Sequence, residues 1–335
     1  MNATTSSTSV SPTGPSERDT PSTSWVSRLS AFRDYGIALF LVLLFVVLSV
    51  STDTFLTVDN LKNVINASVP MGLVACAGTI VIIAGGFDLS AGAIFAVSAI
   101  AAAKLSNDAG PIVGILFGVA VGAGLGLVNG VLCTVGRINH FVGTLGTMIA
   151  FTGMATALSG SGIVLIKDPS FGDVANTQLL GFRISTWILV AVALICAFLL
   201  NRTVFGRHAF GTGGNLLAAR LSGVPVNRTL GAAYVLSGAV AGLAGIIVAG
   251  QTLSVSSTTG SNIIFDALAA ILIGGNSVAG GEGAIWRTIV GVLVLGVISN
   301  GFNLLGVDPV YQQIVSGGII LVAVGGDAWT RRQRV

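Results

Sequence analysis

Few residues of this chain have side chains that could carry out chemistry inside its long apolar stretches. Two carboxylates, Asp88 and Asp266, stand near the ends of hydrophobic runs, and the two histidines, His140 and His208, lie far apart. The sequence contains no Gly-x-x-x-x-Gly-Lys-Ser/Thr loop, no His-Glu-x-x-His and no Gly-x-Ser-x-Gly. These are the local signatures of phosphate cradling, zinc proteolysis and serine hydrolysis. We therefore predict that the chain is not an enzyme, holds no metal and binds no cofactor of its own.

The composition indicates that lipid is the solvent of this chain. Hydrophobic residues make up 53% of its 335 residues and charged residues only 9%, whereas soluble domains carry about 25% charged residues. This balance excludes a soluble enzyme, a secreted disulfide scaffold and, despite a net charge of +3, a nucleic-acid-binding protein. The 46 glycines are typical of transmembrane helices whose backbones approach closely.

Apolar stretches separated by polar breaks predict an all-α, polytopic membrane protein with about ten transmembrane helices. The third, eighth and tenth stretches are short, so we expect them to be tilted, broken or re-entrant. The predicted helices cover residues 35–50, 64–85, 89–103, 111–135, 141–158, 185–200, 230–250, 263–274, 284–304 and 310–324.

The chain ends and the basic residues predict the orientation. Residues 1–30 are rich in Ser, Thr and Pro and lack the features of a signal peptide, so we predict a disordered cytoplasmic tail. We expect a transmembrane domain over 31–326 and a basic cytoplasmic tail over 327–335. With both termini in the cytoplasm, only Lys62, Lys104, Lys167 and Arg183 of the 16 Lys and Arg residues lie outside, in agreement with the positive-inside rule.

One predicted helix carries a glycine at every fourth position. Gly114, Gly118, Gly122, Gly126 and Gly130 follow at this spacing, which keeps them close to one helix face. Repeated small residues let a neighbouring helix approach to backbone contact. We predict that this glycine ladder has a packing role and no chemical one.

Five segments carry a resemblance to a known family: residues 85–90 (GGFDLS), 129–147, 213–224, 266–281 and 300–307. In order and spacing they resemble the membrane permease of ribose-type monosaccharide ABC importers, over nearly all of 35–324. The sequence departs from the family pattern before Asp266, where Ile264 and Phe265 stand in place of the frequent Glu-Leu. It also departs at Arg287, where a small glycine is usual.

The resemblance implies a permease subunit of an ATP-driven importer in the bacterial plasma (inner) membrane, forming the path for a monosaccharide or related small polyol. It implies cytoplasmic ABC ATPase subunits that use ATP-Mg, an extracytoplasmic solute-binding protein, and a second permease subunit in a homodimer or heterodimer. A separate ATPase agrees with the missing phosphate-binding loop. The alternative is an ion-coupled secondary carrier of small polar solutes, but such carriers usually place ionisable residues within the membrane.

Polar residues that border or lie within the apolar runs are the candidates for the translocation path, since a sugar needs hydrogen-bond donors and acceptors along its route. Each candidate also has a structural interpretation, because Asp and Ser are preferred helix caps and Asn and Thr often bond to neighbouring membrane helices. Both interpretations stay open here. The candidate path residues are Asp88, Ser90, Asn129, Asn139, Thr144, Thr147 and Asp266.

Residues 201–229 form the most basic predicted cytoplasmic loop, with four arginines, one histidine and no acid. Within it a helix-prone stretch has Asn215 as a possible cap and Gly223 as a stop. The arginines could serve only to fix the orientation, but the resemblance places in this region a coupling helix, the element that docks on the ATPase. The candidate coupling residues are Gly213, Gly214, Asn215, Ala219, Arg220 and Gly223.

Overall fold

A computed structural model describes residues 24–308 together with 310, 311, 314, 315, 317, 318 and 321. It confirms the all-α prediction, since the described residues form long helices and only two small antiparallel ladders. The helices are α1 (Ser24–Ser51), α2 (Val58–Ile83), α3 (Ala91–Ala109), α4 (Pro111–Thr134), α5 (His140–Ser159), α6 (Asp173–Asn176), α7 (Ile184–Arg202), α8 (Val204–Gly214), α9 (Leu216–Leu221), α10 (Val226–Thr252), α11 (Ile263–Ile273) and α12 (Ile285–Leu304).

The first nine predicted stretches coincide with α1 to α5, α7, α10, α11 and α12. The count of about ten spans is not confirmed. Six helices of the described part are long and apolar enough to cross a membrane: α2, α4, α5, α7, α10 and α12. α11 has only 11 residues, about half of the 20 that a span needs. α3 ends in a polar stretch from Lys104 to Asp108. About half of the tenth stretch, 310–324, falls outside the described residues.

The two predicted tails also fall mainly outside the described residues. This holds for 1–23 and for all of 327–335. α1 begins at Ser24, which lies within the predicted N-terminal tail.

Three helices form the centre of the molecule. α2, α3 and α10 are largely buried, whereas α1, α4, α5 and α7 turn large apolar side chains outward, among them Leu39, Ile112, Ile149 and Leu194. Lipid solvates such side chains, and each helix satisfies its own backbone hydrogen bonds. This is the architecture of a multi-pass membrane protein.

The glycine ladder of α4 lies where α4 meets α3 and α10, as predicted. All five of its glycines are buried. A Cβ added to Gly118 would lie 2.8 Å from the carbonyl oxygen of Ser98 in α3, and one added to Gly122 would overlap the carbonyl oxygen of Gly238 in α10. The backbones are therefore in direct contact, which only glycine permits at these positions.

Short elements close the end of the bundle at which α4 begins. The strands are β1 (Val164–Leu165), β2 (Gln178–Leu179), β3 (Phe182–Arg183) and β4 (Ser254–Val255), with β1 antiparallel to β4 and β2 antiparallel to β3. A 3-10 turn (Pro169–Gly172) and α6 pack on the end of α10, where Asn176 Nδ2 donates to the Gly250 carbonyl at 3.0 Å. α8 and α9 follow α7 at the opposite end.

Candidate functional site

The connection between α2 and α3 is a buried, non-helical break. Residues 84–90 leave the helix, and Gly85 has a φ of 82°, a left-handed conformation that favours glycine. Asp88 in this break is 5% exposed. Its Oδ1 accepts hydrogen bonds from Ser90 N (3.0 Å) and Ser90 Oγ (2.7 Å), and its Oδ2 accepts one from Ser237 Oγ of α10 (2.8 Å). Such partners are what a carboxylate shielded from water requires.

A fourth residue extends this arrangement to α4. Asn129 Nδ2, on the glycine-ladder helix, donates to Ser90 Oγ at 2.6 Å. We call Asp88, Ser90, Asn129 and Ser237 the Asp88 network, and all four side chains are buried. The network therefore ties the break to α4 and α10 through buried hydrogen bonds.

Further hydrogen bonds hold the backbone of the break against α5 and α10. Tyr234 Oη donates to the Phe87 carbonyl at 2.9 Å and lies 2.9 Å from His140 Nδ1. Leu89 N donates to Thr144 Oγ1 at 3.2 Å. The Phe87 carbonyl and the Leu89 amide, which have no helical partner, are thus paired by side chains from two other helices.

Sequence analysis missed two members of this arrangement, Tyr234 and Ser237. They lie three positions apart on α10, and therefore on one helix face, within its apolar middle part, 230–250. That spacing was a usable signal. The predicted path residue Thr147 does not join the arrangement, because its Oγ1 donates to the Thr144 carbonyl of its own helix at 3.2 Å.

Neither aspartate occupies the N-cap position of its helix, which is Ser90 for α3 and Asn262 for α11. Asp88 accepts the Ser90 amide at the start of α3, although Ser90 itself makes no side-chain cap bond. The N-cap of α11 is Asn262, so Asp266 lies within the helix and caps nothing. The Asp266 carboxylate has no hydrogen-bond or ion-pair partner within the described part of the chain.

Asp266 instead lines an open cleft of about 570 Å³ between α2, α3, α10, α11 and α12, which we call the Asp266 cleft. None of its lining residues is Lys, Arg or His. Hydroxyl, amide and carboxylate groups can bind the hydroxyls of a neutral solute as acceptors or donors. Its polar lining residues are Asn63, Ser68, Ser261, Asn262, Asp266, Ser299, Asn300 and Asn303.

Two asparagines fix one wall of the Asp266 cleft. Asn60 Nδ2 donates to Asn300 Oδ1 at 3.0 Å, and Asn300 Nδ2 donates to Asn60 Oδ1 at 2.8 Å. This reciprocal amide pair joins α2 to α12, so the two helices cannot separate at this point without losing both bonds.

A second cleft, of about 540 Å³, lies at the opposite end of the bundle, between the α4–α5 turn, α8, α9 and α10. We call it the Arg220 cleft, and Asn139 lines it together with Arg220. Asn139 Oδ1 accepts from Phe141 N at 3.0 Å and so caps α5. The path candidates therefore fall in separate places: Asp88, Ser90 and Asn129 in the network with Thr144 beside it, Thr147 within α5, Asp266 in the first cleft and Asn139 in the second.

The short helix predicted between Gly214 and Gly223 is present as α9. Asn215 is its N-cap, since its Oδ1 accepts from Ala218 N at 2.9 Å. Gly223 has a φ of 79°. Ala219 is 6% exposed, so it holds α9 to the rest of the chain and does not face outward.

The outward face of α9 combines two apolar residues with one charged residue. Leu217 and Leu221 are 69% and 82% exposed, and Arg220 is exposed beside them. Large apolar side chains at this exposure are typical of a surface that binds a partner or lipid.

Four glycines connect this region to the break that carries Asp88. Gly281 N donates to the Ile83 carbonyl at 2.9 Å, and a Cβ on Gly213 would overlap that same carbonyl oxygen. A Cβ on Gly280 would lie 3.0 Å from Gly85 Cα. We call Gly85, Gly213, Gly280 and Gly281 the glycine junction. It places the end of α8 in backbone contact with the end of α2.

Within the described residues, no group of three or more His, Cys, Asp and Glu side chains could hold a metal ion. The three cysteines, Cys76, Cys133 and Cys196, are free and buried.

A family model described as the permease component of the branched-chain amino acid transport system matches residues 60–324. The ribose import permease protein RbsC of Escherichia coli (strain K12) is 36% identical over 289 residues, which are 85% of this chain and 90% of that protein. RbsC of Bacillus subtilis (strain 168) is 37% identical over 86% of this chain and 91% of that protein. The L-arabinose ABC transporter permease protein AraH of Azospirillum brasilense is 35% identical over 89% and 88%. No solved structure matches the chain.

Proposed function

The chain belongs to this family of transport-system permease components, and we propose that it is the membrane subunit of an ATP-driven ABC importer of a monosaccharide or related small polyol. The observation that carries the proposal is the identity of 36–37% to ribose import permeases over most of both chains. The arabinose permease, at 35%, supports a pentose-like cargo in the same way.

The lining of the Asp266 cleft favours a sugar over the amino acid in the family description. A free amino acid carries a carboxylate, which proteins usually bind with Arg, Lys or backbone amides. The cleft offers amides, hydroxyls and the Asp266 carboxylate, and none of its lining residues is cationic. These groups suit the neutral hydroxyls of a sugar.

The proposal includes partners that supply energy and solute. Because the sequence has no phosphate-binding loop, ATP-Mg would be hydrolysed by separate cytoplasmic ATPase subunits. A solute-binding protein would deliver the sugar from outside, and a second permease subunit would complete the membrane unit. The alternative of an ion-coupled carrier is less well supported, because the relatives carry import-permease and ABC-transporter names.

We propose that both termini lie in the cytoplasm, with the Asp266 cleft opening outward and the Arg220 cleft inward. The distribution of Lys and Arg supports this orientation. Lys62, Lys104, Lys167 and Arg183 then lie outside, and the arginine-rich segment of α8 and α9 lies inside.

The same orientation makes α9 the coupling helix. A partner that moves α9 would also move α8, whose end meets the Asp88 break at the glycine junction. A backbone contact without side chains transmits displacement directly, because no flexible group lies between the two segments. Motion at the cytoplasmic face would thus reach the Asp88 network.

The function is tested by co-expressing the chain with an ABC ATPase and a solute-binding protein of the ribose-type import system and measuring uptake of labelled ribose and arabinose. We expect uptake that requires ATP and persists when an uncoupler abolishes the proton gradient at constant ATP. Uptake that stops with the uncoupler alone would establish the ion-coupled carrier instead. ATP turnover by the purified chain alone would also contradict the proposal.

The coupling route is tested with Gly213→Ala and its matched control Gly211→Ala. Both glycines lie in α8, but a Cβ on Gly213 overlaps the Ile83 carbonyl, whereas a Cβ on Gly211 has no atom within 4 Å. We expect Gly213→Ala to abolish uptake and Gly211→Ala to retain it. Leu221→Asp, which removes no internal packing, should release the ATPase from the complex. Normal uptake in both Gly213→Ala and Leu221→Asp would remove the coupling assignment.

A further inference from the structure

The Arg220 cleft concentrates positive charge without a counter-charge. Arg137 and Arg220 both line it, and none of its lining residues is Asp or Glu. Neither arginine has an ion-pair or hydrogen-bond partner within the described part of the chain. A guanidinium stays protonated in proteins and presents five N–H donors. The cleft therefore offers two forked donors that no acceptor of the described residues engages.

The backbone at Arg137 has a conformation that residues other than glycine rarely adopt. Arg137 has a φ of 55°, a left-handed conformation that is unfavourable for residues other than glycine. Strained conformations of this kind cluster at ligand-binding positions. Glycine would fit the turn without strain, and the arginine at this position points to a use for its side chain in the cleft that it lines.

A buried hydroxyl group that lines the same cleft also lacks a hydrogen-bond partner among the described residues. Thr212 lines the cleft and is 2% exposed, and its Oγ1 has no hydrogen-bond partner among the described residues. Buried hydroxyls nearly always have a partner. Asn227 adds a further amide to the lining. An occupant with several strong acceptor oxygens would satisfy these donors together.

We propose that the Arg220 cleft is a binding site for a phosphate group. Phosphate carries the oxygen acceptors and the negative charge that two arginines recognise best, through paired N–H···O bonds. The volume of about 540 Å³ falls in the range of small-molecule sites. The proposal does not depend on transport, because it concerns binding by the chain alone.

The phosphate can come from two sources, a soluble phosphate ester or the headgroup of an anionic lipid. Exposed apolar residues at the rim, Ile138 and Leu216, are 40% and 45% exposed and could contact acyl chains. Basic pockets on the cytoplasmic side of membrane proteins bind such headgroups. The experiment therefore contains one arm for each source.

The test uses the full chain purified in dodecyl maltoside, a detergent without phosphate, and isothermal titration calorimetry. The probes are ribose 5-phosphate for the soluble ester, dioctanoyl phosphatidylglycerol for the lipid, and inorganic phosphate for the group alone. Ribose is the uncharged control. We expect saturable binding of at least one phosphate probe that excess ribose does not displace, and the tighter of the first two probes identifies the source.

Variants locate the binding. Arg137→Gln with Arg220→Gln should weaken the bound probe at least about tenfold, since hydrogen bonds to charged groups are among the strongest. Arg228→Gln is the matched control, because Arg228 is an exposed arginine of the same basic segment that does not line the cleft. It should change affinity less than about twofold. Both arginines of the double variant are exposed, so folding should survive, and each single variant gives an independent measurement.

Two results would overturn the proposal. The first is that none of the phosphate probes binds the wild-type chain. The second is that a probe binds equally to wild type and to both single variants and the double variant.

Discussion

The Asp88 network and the Asp266 cleft place the same kind of group, an aspartate beside an apolar run, in opposite surroundings. Asp88 is 5% exposed, and its carboxylate accepts hydrogen bonds from Ser90 and Ser237. Asp266 lines about 570 Å³ of open space and has no partner within the described part of the chain. In the sequence the two positions look alike.

The two aspartates differ in whether other residues of the chain already donate hydrogen bonds to the carboxylate. A buried polar group bonded by the chain holds helices together, since leaving it unpaired costs on the order of 1–3 kcal/mol. A polar group beside open volume can exchange bonds with water for bonds with a solute. We therefore expect substitutions in the Asp88 network to change stability first and those in the Asp266 cleft to change transport first.

The largest effect is expected from the packing that surrounds the Asp88 network. A Cβ on Gly122 overlaps the Gly238 carbonyl oxygen, so Gly122→Leu should prevent α4 and α10 from meeting. Overpacking a core costs about 1–3 kcal/mol, and a backbone contact cannot yield as a side chain can. We expect little or no folded protein, measured by fluorescence-detected size-exclusion chromatography.

Gly124→Leu is the matched control for the glycine ladder. Gly124 lies on the same helix, is exposed, and has no atom within 4 Å of an added Cβ. It should leave the elution profile unchanged. A well-folded Gly122→Leu chain with altered sugar preference would show that the ladder lines a path.

The next largest effect is expected for Asp88→Ala. The substitution removes the acceptor of Ser90 and Ser237, which leaves two buried hydroxyls without their partner. We expect a loss of stability on the order of 1–3 kcal/mol, seen as a lower midpoint in thermal unfolding of the purified chain.

The chain provides a close control in Asp168. Its Oδ1 accepts from Ser170 N at 2.9 Å and from Ser170 Oγ at 2.7 Å, the same local bonds that Asp88 makes with Ser90. These bonds hold the pKa of Asp168 below its usual range, but the site is exposed, so water replaces any lost partner. Asp168→Ala should leave the unfolding midpoint unchanged. Equal losses in the two variants would mean that burial does not distinguish them.

Some of this contrast could be predicted from sequence and some could not. The glycine ladder was predictable because a spacing of four fixes one helix face, and α9 because Asn215 and Gly223 mark its ends locally. The α8 helix was missed, since Gly206, Gly211 and Gly213 are typical of a loop and its packing is non-local. The start of α11 was also located from sequence, since the predicted stretch 263–274 begins at the first helical residue, Ile263, directly after the N-cap Asn262.

The separation of the path candidates was not predictable for the same reason. Asn129 of α4 donates to Ser90 at the start of α3, at 2.6 Å. No local sequence pattern indicates a contact between residues so far apart in the chain. The composition predicts that polar side chains within the membrane need hydrogen-bond partners. Only the packed structure shows which of these side chains have a partner.

A smaller effect, confined to transport, is expected for Asp266→Asn. Asn keeps the shape and one acceptor oxygen, but it loses the charge that strengthens a hydrogen bond from a sugar hydroxyl. We expect uptake to fall roughly threefold to tenfold, since hydrogen bonds to charged groups contribute about 1.5–3 kcal/mol and part of the bond remains. The thermal unfolding midpoint should not change. A lower midpoint with normal uptake would give Asp266 the role assigned to Asp88.

The smallest effect is a difference in chemical accessibility that leaves transport intact. Ser261 lines the Asp266 cleft and is exposed, so a cysteine there should remove no packing. All three native cysteines are free and buried. They serve as an internal control for residues that the reagent should not reach. In whole cells, Ser261→Cys should react with a membrane-impermeant maleimide, whereas the wild-type chain should not. Pre-incubation with the transported sugar should slow the labelling if the cleft lies on the path.

Labelling only after permeabilisation would reverse the proposed orientation, because Ser261 would then face the cytoplasm. Labelling of the native cysteines at the same rate would show that the buried region opens to water, and the contrast between the two aspartates would lose its physical basis.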